Sequence, residues 1–233
     1  TIAAGNSLGI SPIKEYGTKE QKEKYLPRLC KTHLWGFGLT EENAGCDSRG
    51  TQSTARQEGD SWILNGSKIF ITNSATPMTL GSTLQVISGE KNGKPEFTTF
   101  LMENDAEGFT QEPMNRKMMW RASNTGRLTF ENVRLPKENM LGAAGEGSHI
   151  MLSTLDGGRL SIAAMGLGCA QGAYEMALAY SQKREQFGKP ICKFQAVSFK
   201  LADMAMKIEA ARCLLYKACR IKDAGLPYGK EAA

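Results

Sequence analysis

Two hydrophobic rhythms divide the chain. From Trp35 to about Leu135, apolar residues come in short runs rich in β-branched and aromatic types: Ser61-Trp-Ile-Leu64, Ser67-Lys-Ile-Phe-Ile-Thr72, Thr83-Leu-Gln-Val-Ile87, Thr98-Thr-Phe-Leu-Met102 and Arg127-Leu-Thr-Phe130. Turn residues separate them at Glu58-Gly-Asp60, Asn65-Gly66, Lys91-Asn-Gly-Lys-Pro95 and Glu107-Gly108. Short runs of this kind fit a pleated backbone, so the region reads as all-β, a small barrel or sandwich. Asn-Gly suits the positive φ angles of a two-residue hairpin, which makes Asn65-Gly66 the strongest hairpin signal.

Beyond Leu135-Pro136 the period lengthens. Gly142-Ala-Ala-Gly-Glu-Gly147 is a glycine-rich connector, and two long helices are predicted, from about His149 to Arg184 and from about Phe194 to Ala224. In the second, Val197, Leu201, Met204, Ile208, Ala211 and Leu215 recur at alternating spacings of four and three, a seam for packing in a bundle. Asp223-Ala-Gly-Leu-Pro227 is a helix stop, and Lys230-Glu-Ala-Ala233 reads as the start of another helix cut off. Near the other end, Thr18-Lys-Glu-Gln21 is a capping box that predicts a helix to about Leu26, ended by Pro27. The preceding stretch from Gly5 to Pro12 reads as the tail of a helix and a turn. The expected organisation is therefore a helical piece at 1–34, a β domain at 35–136 and a helical domain at 137–233.

Composition narrows the function classes. A chain of 233 residues with 41% hydrophobic and 23% charged residues can bury a sizeable core and is not disordered. The net charge of +5 is scattered, which suits an anionic ligand but matches no nucleic-acid motif. Six cysteines (Cys30, Cys46, Cys169, Cys192, Cys213 and Cys219) form no close pair, and the two histidines are His33 and His149, so a zinc site has little support. The thiols are expected to be free and mostly buried. No apolar run is long enough to span a bilayer.

Several stretches could carry chemistry. Phe37-Gly-Leu-Thr-Glu-Glu-Asn-Ala-Gly-Cys-Asp47 reads as a strand delivering Phe37, Leu39 and Thr40 to a turn with Gly45, with Cys46 beside it, either facing a ligand's polar edge or simply a plain strand followed by a turn. Phe70 and Thr72 alternate on one strand face, a ring and a hydroxyl suited to a flat heterocycle, or simply a core aromatic and a surface threonine. Asp156-Gly-Gly-Arg159 offers a guanidinium for phosphate or an ion pair between its ends. Arg184 and Phe187 lie where a helix breaks at Gly188 and Pro190, leaving the arginine free to reach a pyrophosphate or to stay a solvated charge near a helix C-terminus. Gly166-Leu-Gly-Cys-Ala-Gln-Gly172 has the spacing GxGxxxG inside a helical pattern, so it reads as small residues for close helix packing rather than as a dinucleotide loop.

In order and spacing, these stretches resemble the acyl-CoA dehydrogenases, in particular their short-chain, butyryl-CoA type branch. The resemblance rests on Leu-Thr-Glu…Ala-Gly-x-Asp, Asn-Gly-x-Lys-x-x-Ile-Thr-Asn, Leu-Asp-x-x-Arg, Arg-x-x-Phe-Gly…Gln and Leu-Ala-Asp-Met, and covers essentially the whole chain. It implies a helical N-terminal fragment, a middle β-barrel and an incomplete C-terminal up-down helical bundle, usually assembled as a homotetramer. It implies non-covalent FAD between barrel and helical domain. Phe37, Gly38, Leu39, Thr40, Gly45 and Cys46 would follow the flavin, Thr40 at its pyrimidine edge. Phe70, Ile71 and Thr72 would cover the ring. Arg184, Phe187, Phe194 and Gln195 would hold the pyrophosphate and adenosine of a neighbouring subunit's FAD, and Cys46, Asp156, Gly157, Gly158 and Arg159 would line the CoA portion of the substrate path.

The implied reaction is α,β-dehydrogenation of a short-chain acyl-CoA, with electrons passed to an electron-transferring flavoprotein. The alternatives are an enoyl-CoA reductase on the same fold or a non-catalytic scaffold. The catalytic glutamate is expected in a C-terminal segment beyond these residues, and the alternative position used by some members is Gly158 here. Cys46 stands where relatives have serine, and Met119 where they commonly have glycine. The resemblance implies a bacterial cytoplasmic or mitochondrial matrix location.

Overall fold

The computed structural model describes residues 2–233, which divide after Leu155 into two compact units. In the first, α1 (Ile2–Ala4), a π-helical turn (Gly5–Ile10) and α2 (Ser11–Tyr16) follow without a break. The expected turn before Pro12 is therefore absent. Pro12 lies at the head of α2, just after the widened π turn, where a missing N–H is tolerated. The helix α3 (Lys19–Leu29) opens on the capping box: Thr18 Oγ1 accepts from the Gln21 amide at 3.2 Å, and Gln21 Oε1 accepts from the Thr18 amide at 3.0 Å. It continues past the expected stop through Pro27. Pro27 falls in the last turn, and the carbonyl it leaves unbonded belongs to exposed Glu23.

The strands are β1 (Leu34–Gly38), β2 (Thr54–Glu58), β3 (Ser61–Thr72), β4 (Thr79–Lys91), β5 (Lys94–Glu103), β6 (Phe109–Pro113), β7 (Thr125–Pro136) and β8 (Met140–Leu141). They form one sheet in the order β6-β7-β3-β2-β4-β5-β8, with β1 added in parallel to β4. Strands β2 to β7 all feed one core that includes Trp62, Leu64, Val86, Phe100, Leu128 and Phe130, so the sheet curls around it as a barrel does. The other face is also covered. Phe100 points into this core while its neighbour Leu101 joins a second one with Ile13, Tyr25, Leu29, Trp35, Leu141 and Ile150. Trp35 is the anchor there: its indole N–H donates to Thr83 Oγ1 at 2.8 Å, and its ring lies 5.0 Å from that of Tyr25.

The two Asn-Gly pairs behave differently. Asn92-Gly93 turns β4 into β5 with φ of 54° and 74°. Asn65-Gly66 makes no hairpin and lies inside β3 at a bulge, where the register against β7 slips between Leu64 and Gly66. Tertiary contacts explain this. The Asn65 carboxamide accepts the Asn132 backbone N–H at 2.8 Å, tying β3 to β7, and a Cβ on Gly66 would lie 2.3–2.8 Å from atoms of Ser53. The hairpin forms one signal earlier, at Gly59-Asp60.

The second unit holds most of α4 (Gly147–Lys183), a minimal hairpin of β9 (Glu185–Gln186) and β10 (Lys189–Pro190), then α5 (Gln195–Asp223) and α6 (Gly229–Ala232). Helices α4 and α5 are antiparallel: Leu160 packs with Leu215 and Ala218, and Arg212 donates to Gln171 at 2.8 Å. Of the predicted seam, Leu201, Ile208 and Leu215 are buried, Val197 and Met204 half-buried, and Ala211 exposed. Glycines 166, 168 and 172 sit within α4 with no atom within 4 Å of an added Cβ, so they mediate no close packing among the described residues. The six thiols are free, but none is buried, contrary to expectation. Cys219, half-buried, packs at the margin of the Leu160, Leu215 and Ala218 cluster, and the others occupy a loop, a short turn, a helix end or exposed helix positions.

Gly66→Ala should cost about 2–4 kcal/mol, since φ of +146° excludes a Cβ and Ser53 fills its place. Urea unfolding measures this, and a neutral result would contradict the bulge.

Candidate functional site

Glycines let β1 settle deep in the sheet. A Cβ on Gly36 would meet Ser82 Oγ at 2.3 Å and Ile71 Cγ2 at 3.1 Å; one on Gly38 would meet Leu84 Cδ2 at 2.4 Å and Lys68 Cγ at 3.4 Å. β1 is thereby pressed between β4 and the end of β3, with Phe37 half-buried. After Gly38 the chain stays attached. Leu39 is buried, and the Thr40 carbonyl accepts the Ile69 N–H at 2.9 Å. Glu41 and Ala44 then exchange backbone hydrogen bonds, so the tight turn runs through Glu42-Asn43 and precedes Gly45. Gly45 and Cys46 follow on the surface, and Asp47 caps the short turn Ser48–Gly50.

Opposite Thr40, β3 is irregular. Its register against β7 slips again between Lys68 and Ile71, and Phe70 adopts φ of +61°. A bulky side chain in that region costs about 1–3 kcal/mol. The result is a Phe70 ring that is 61% exposed between buried Ile69 and Ile71. Ile71 points into the barrel core, so only its backbone can meet a ligand. Thr72 is half-buried on the far side of Ile71. The hydroxyls of Thr40 and Thr72 have no hydrogen-bond partner among the described residues. A strained, exposed ring near two unpaired half-buried hydroxyls is a donor set suited to a flat, polar-edged ligand.

Beneath this surface lies a pair that sequence reasoning missed. Lys68 Nζ is fully buried and donates to Glu41 Oε1 at 2.7 Å. It also approaches the Leu39 carbonyl at 3.4 Å. Glu41 in turn accepts the backbone N–H groups of Gln52 at 2.7 Å and Ser53 at 3.2 Å. Burial pushes the Lys68 ammonium down to about 8, against the pull of Glu41. Burial by itself would raise Glu41, but Lys68, the Gln52 N–H and Ser53 together outweigh it and hold the carboxyl below its ordinary range. One signal was available: a lysine inside the apolar run Ser67-Lys-Ile-Phe-Ile-Thr72 needs an acidic partner if the strand is buried on both faces.

The second unit carries the remaining candidates. Asp156 and Arg159 lie inside α4 and pair with each other at 2.6 Å. Gly158 is buried, and an added Cβ on Gly157 would meet Lys222 Nζ at 3.3 Å and Tyr228 Oη at 3.6 Å. Helix α4 ends at Lys183, and the break holds a hairpin with Phe187-Gly188 as its two-residue turn, φ 51° and 73°. Phe187 is almost wholly exposed and meets Phe194 edge-on at 6.1 Å, while Lys189 Nζ lies 4.5 Å from the Phe194 ring centre. Arg184 and Gln195 are both exposed. Among the described residues no group of His, Cys, Asp and Glu could hold a metal, and no helix is long and apolar enough to cross a membrane.

Comparison with known proteins adds to this geometry. The acyl-CoA dehydrogenase N-terminal, middle and C-terminal domain families match residues 1–33, 36–133 and 145–233. The short-chain specific acyl-CoA dehydrogenase of Megasphaera elsdenii is 46% identical, covering 100% of this chain and 61% of its own length. The solved butyryl-CoA dehydrogenase from Megasphaera elsdenii aligns with a TM-score of 0.92 at 46% identity, over 100% of this chain and 61% of that one. A Mycobacterium smegmatis glutaryl-CoA dehydrogenase in complex with FADH2 aligns with a TM-score of 0.88 at 36% identity, over 97% and 57% respectively. The chain thus spans about three fifths of the length of these relatives.

Lys68→Met should cost about 3–5 kcal/mol in denaturant unfolding, because it strands a buried carboxylate. The pH dependence has two parts. Glu41 titrates lower when folded, so its stabilisation is present above the ordinary carboxylate range and lost as pH falls through it. Lys68 also titrates lower when folded, so the unfolded chain binds the extra proton above about pH 8 and this group's contribution rises there. Glu41→Gln should therefore flatten the fall in melting temperature between about pH 5 and pH 3. An unchanged acid slope would show that Glu41 does not control it.

Proposed function

The chain belongs to the acyl-CoA dehydrogenase family, and on that premise we propose that it holds FAD and serves the α,β-dehydrogenation of a short-chain acyl-CoA thioester. The observation that carries the reading is the exposed, strained Phe70 ring with the unpaired hydroxyls of Thr40 and Thr72 near it. Their chemistry fits an isoalloxazine: an aromatic face to stack on and hydroxyls for its polar edge. Phe37, Gly45 and Cys46 are assigned to the approach from β1, and Gly38, Leu39 and Ile71, all buried, could contribute backbone alone.

When bound, FAD supplies the hydride acceptor for the β-carbon. The chain's own residues bind and orient. The Thr40 and Thr72 hydroxyls would hold the edge of the ring, and Phe70 would shield its face from water. In the second unit, Arg184, Phe187, Phe194 and Gln195 are suited to a pyrophosphate and adenosine, with a guanidinium for phosphate and an edge-on aromatic pair for the base. Arg159 keeps donors beyond the one spent on Asp156 and is assigned, with Asp156, Gly157 and Gly158, to the CoA portion of the substrate. No carboxylate among these residues is assigned the α-proton, and Gly158 beside Arg159 has no side chain to take it. Electrons would pass to an electron-transferring flavoprotein; a solved structure described as the electron transferring flavoprotein of Acidaminococcus fermentans holds a chain 46% identical to this one. The exposed Met176, Phe199, Met206 and Leu214 of α4 and α5 suit assembly into a homotetramer.

FAD at about 100 times its Kd should stabilise the protein by about 2.7 kcal/mol, read as a rise in melting temperature. Thr40→Val and Thr72→Val should each weaken FAD binding by about three- to tenfold with little change in the apoprotein melt. A melt indifferent to FAD would overturn the reading.

A further inference from the structure

Resting on the flavin reading, we propose that the Lys68–Glu41 ion pair is the positioning element of the cofactor site: it fixes the Thr40 hydroxyl, through the backbone on both sides, at the edge where the isoalloxazine is bound. The geometry is specific. Thr40 lies between two groups held by one ammonium, the Leu39 carbonyl at 3.4 Å and the Glu41 carboxylate at 2.7 Å. Its own carbonyl is taken by the Ile69 N–H at 2.9 Å. With those three anchors the backbone at Thr40 has no freedom, and its side chain is the part left to meet a ligand. The same ammonium belongs to the strand that carries Phe70, two residues on. A single buried side chain therefore sets both the hydroxyl and the segment bearing the ring.

The pair also reaches the other end of the loop. The Glu41 carboxylate accepts from Gln52 and Ser53, so it closes residues 41–53 into a ring of chain that contains Gly45 and Cys46. An ion pair so placed does more than hold the barrel together. A plain structural charge could be replaced by packing elsewhere in the core; this one spans the two segments that form the ligand surface. Neither Lys68 nor Glu41 would touch the cofactor, since both are buried, so each acts through Thr40.

The test compares wild-type protein with Lys68→Met, Glu41→Gln and a control, Leu135→Ala, a cavity in the barrel core where β7 pairs with Trp62 rather than with Lys68. FAD Kd is measured by flavin fluorescence, the bound ring by visible circular dichroism, and the apoprotein by its melt. Lys68→Met should weaken FAD by about tenfold or more and alter the flavin dichroism. Glu41→Gln, which keeps an acceptor for Lys68, should do so to a smaller degree. Leu135→Ala should lower the melt comparably while keeping the wild-type Kd and dichroism. Should Lys68→Met fail to fold, Glu41→Gln decides by the same two readouts. Wild-type affinity and dichroism in both pair variants would overturn the proposal, as would an equal loss in Leu135→Ala. Absence of FAD uptake by wild-type protein would instead remove the flavin reading itself, and the positioning role with it.

Discussion

A lysine with no exposed surface, paired to a carboxylate that is nearly as buried, is the constraint around which the candidate site is arranged. Removing two charges from water costs several kcal/mol per ion, and mutual attraction offsets this only when geometry is good and remaining hydrogen-bonding capacity is met. Here it is largely met. Glu41 accepts from Lys68 and from two backbone amides, and Lys68 also approaches the Leu39 carbonyl. The cost of burial selects one path for residues 39–53, because any other path leaves a buried charge without a partner. That path presents Thr40 beside the Phe70 bulge.

Backbone strain recurs where the chain offers aromatic rings. Phe70 and Phe187 are both exposed, and both sit at positive φ. Neither position requires an aromatic for packing in this chain, since each ring is largely in solvent. In each case surrounding order holds the angle: the second register slip of β3 for Phe70, and the two-residue hairpin closed by the Ile191 N–H on the Arg184 carbonyl for Phe187. Strain that persists at exposed side chains is a reason to look for a ligand there.

The barrel supports this by leaving β1 little freedom. Gly36 and Gly38 permit close approach to β3 and β4, and Trp35 locks the strand through Thr83 and Tyr25. Local hydrogen bonds within the loop then do the rest, from the Glu41–Ala44 turn to the Asp47 cap. Each step is short-range once the strand is placed, but the placement of β1 against β4 joins residues more than forty positions apart.

Local physics wrote much of this into the chain. The periods of the two long helices, the capping box at Thr18 and Gln21, the stop at Gly225 and the Asn92-Gly93 hairpin are decided within a few residues, by propensity, φ preference and one or two hydrogen bonds, and all are legible in the sequence. So were the stretches that carry the candidate site, through their order and spacing. Three features were decided only by the fold. Asn65-Gly66 became a bulge because Ser53 and Asn132, distant in sequence, occupy its surroundings. Pro27 did not end its helix because the carbonyl it orphans faces solvent. Lys68 and Glu41, twenty-seven residues apart, acquired a partner because the barrel buried both, and a charge reveals what it needs only once water has been taken away from it.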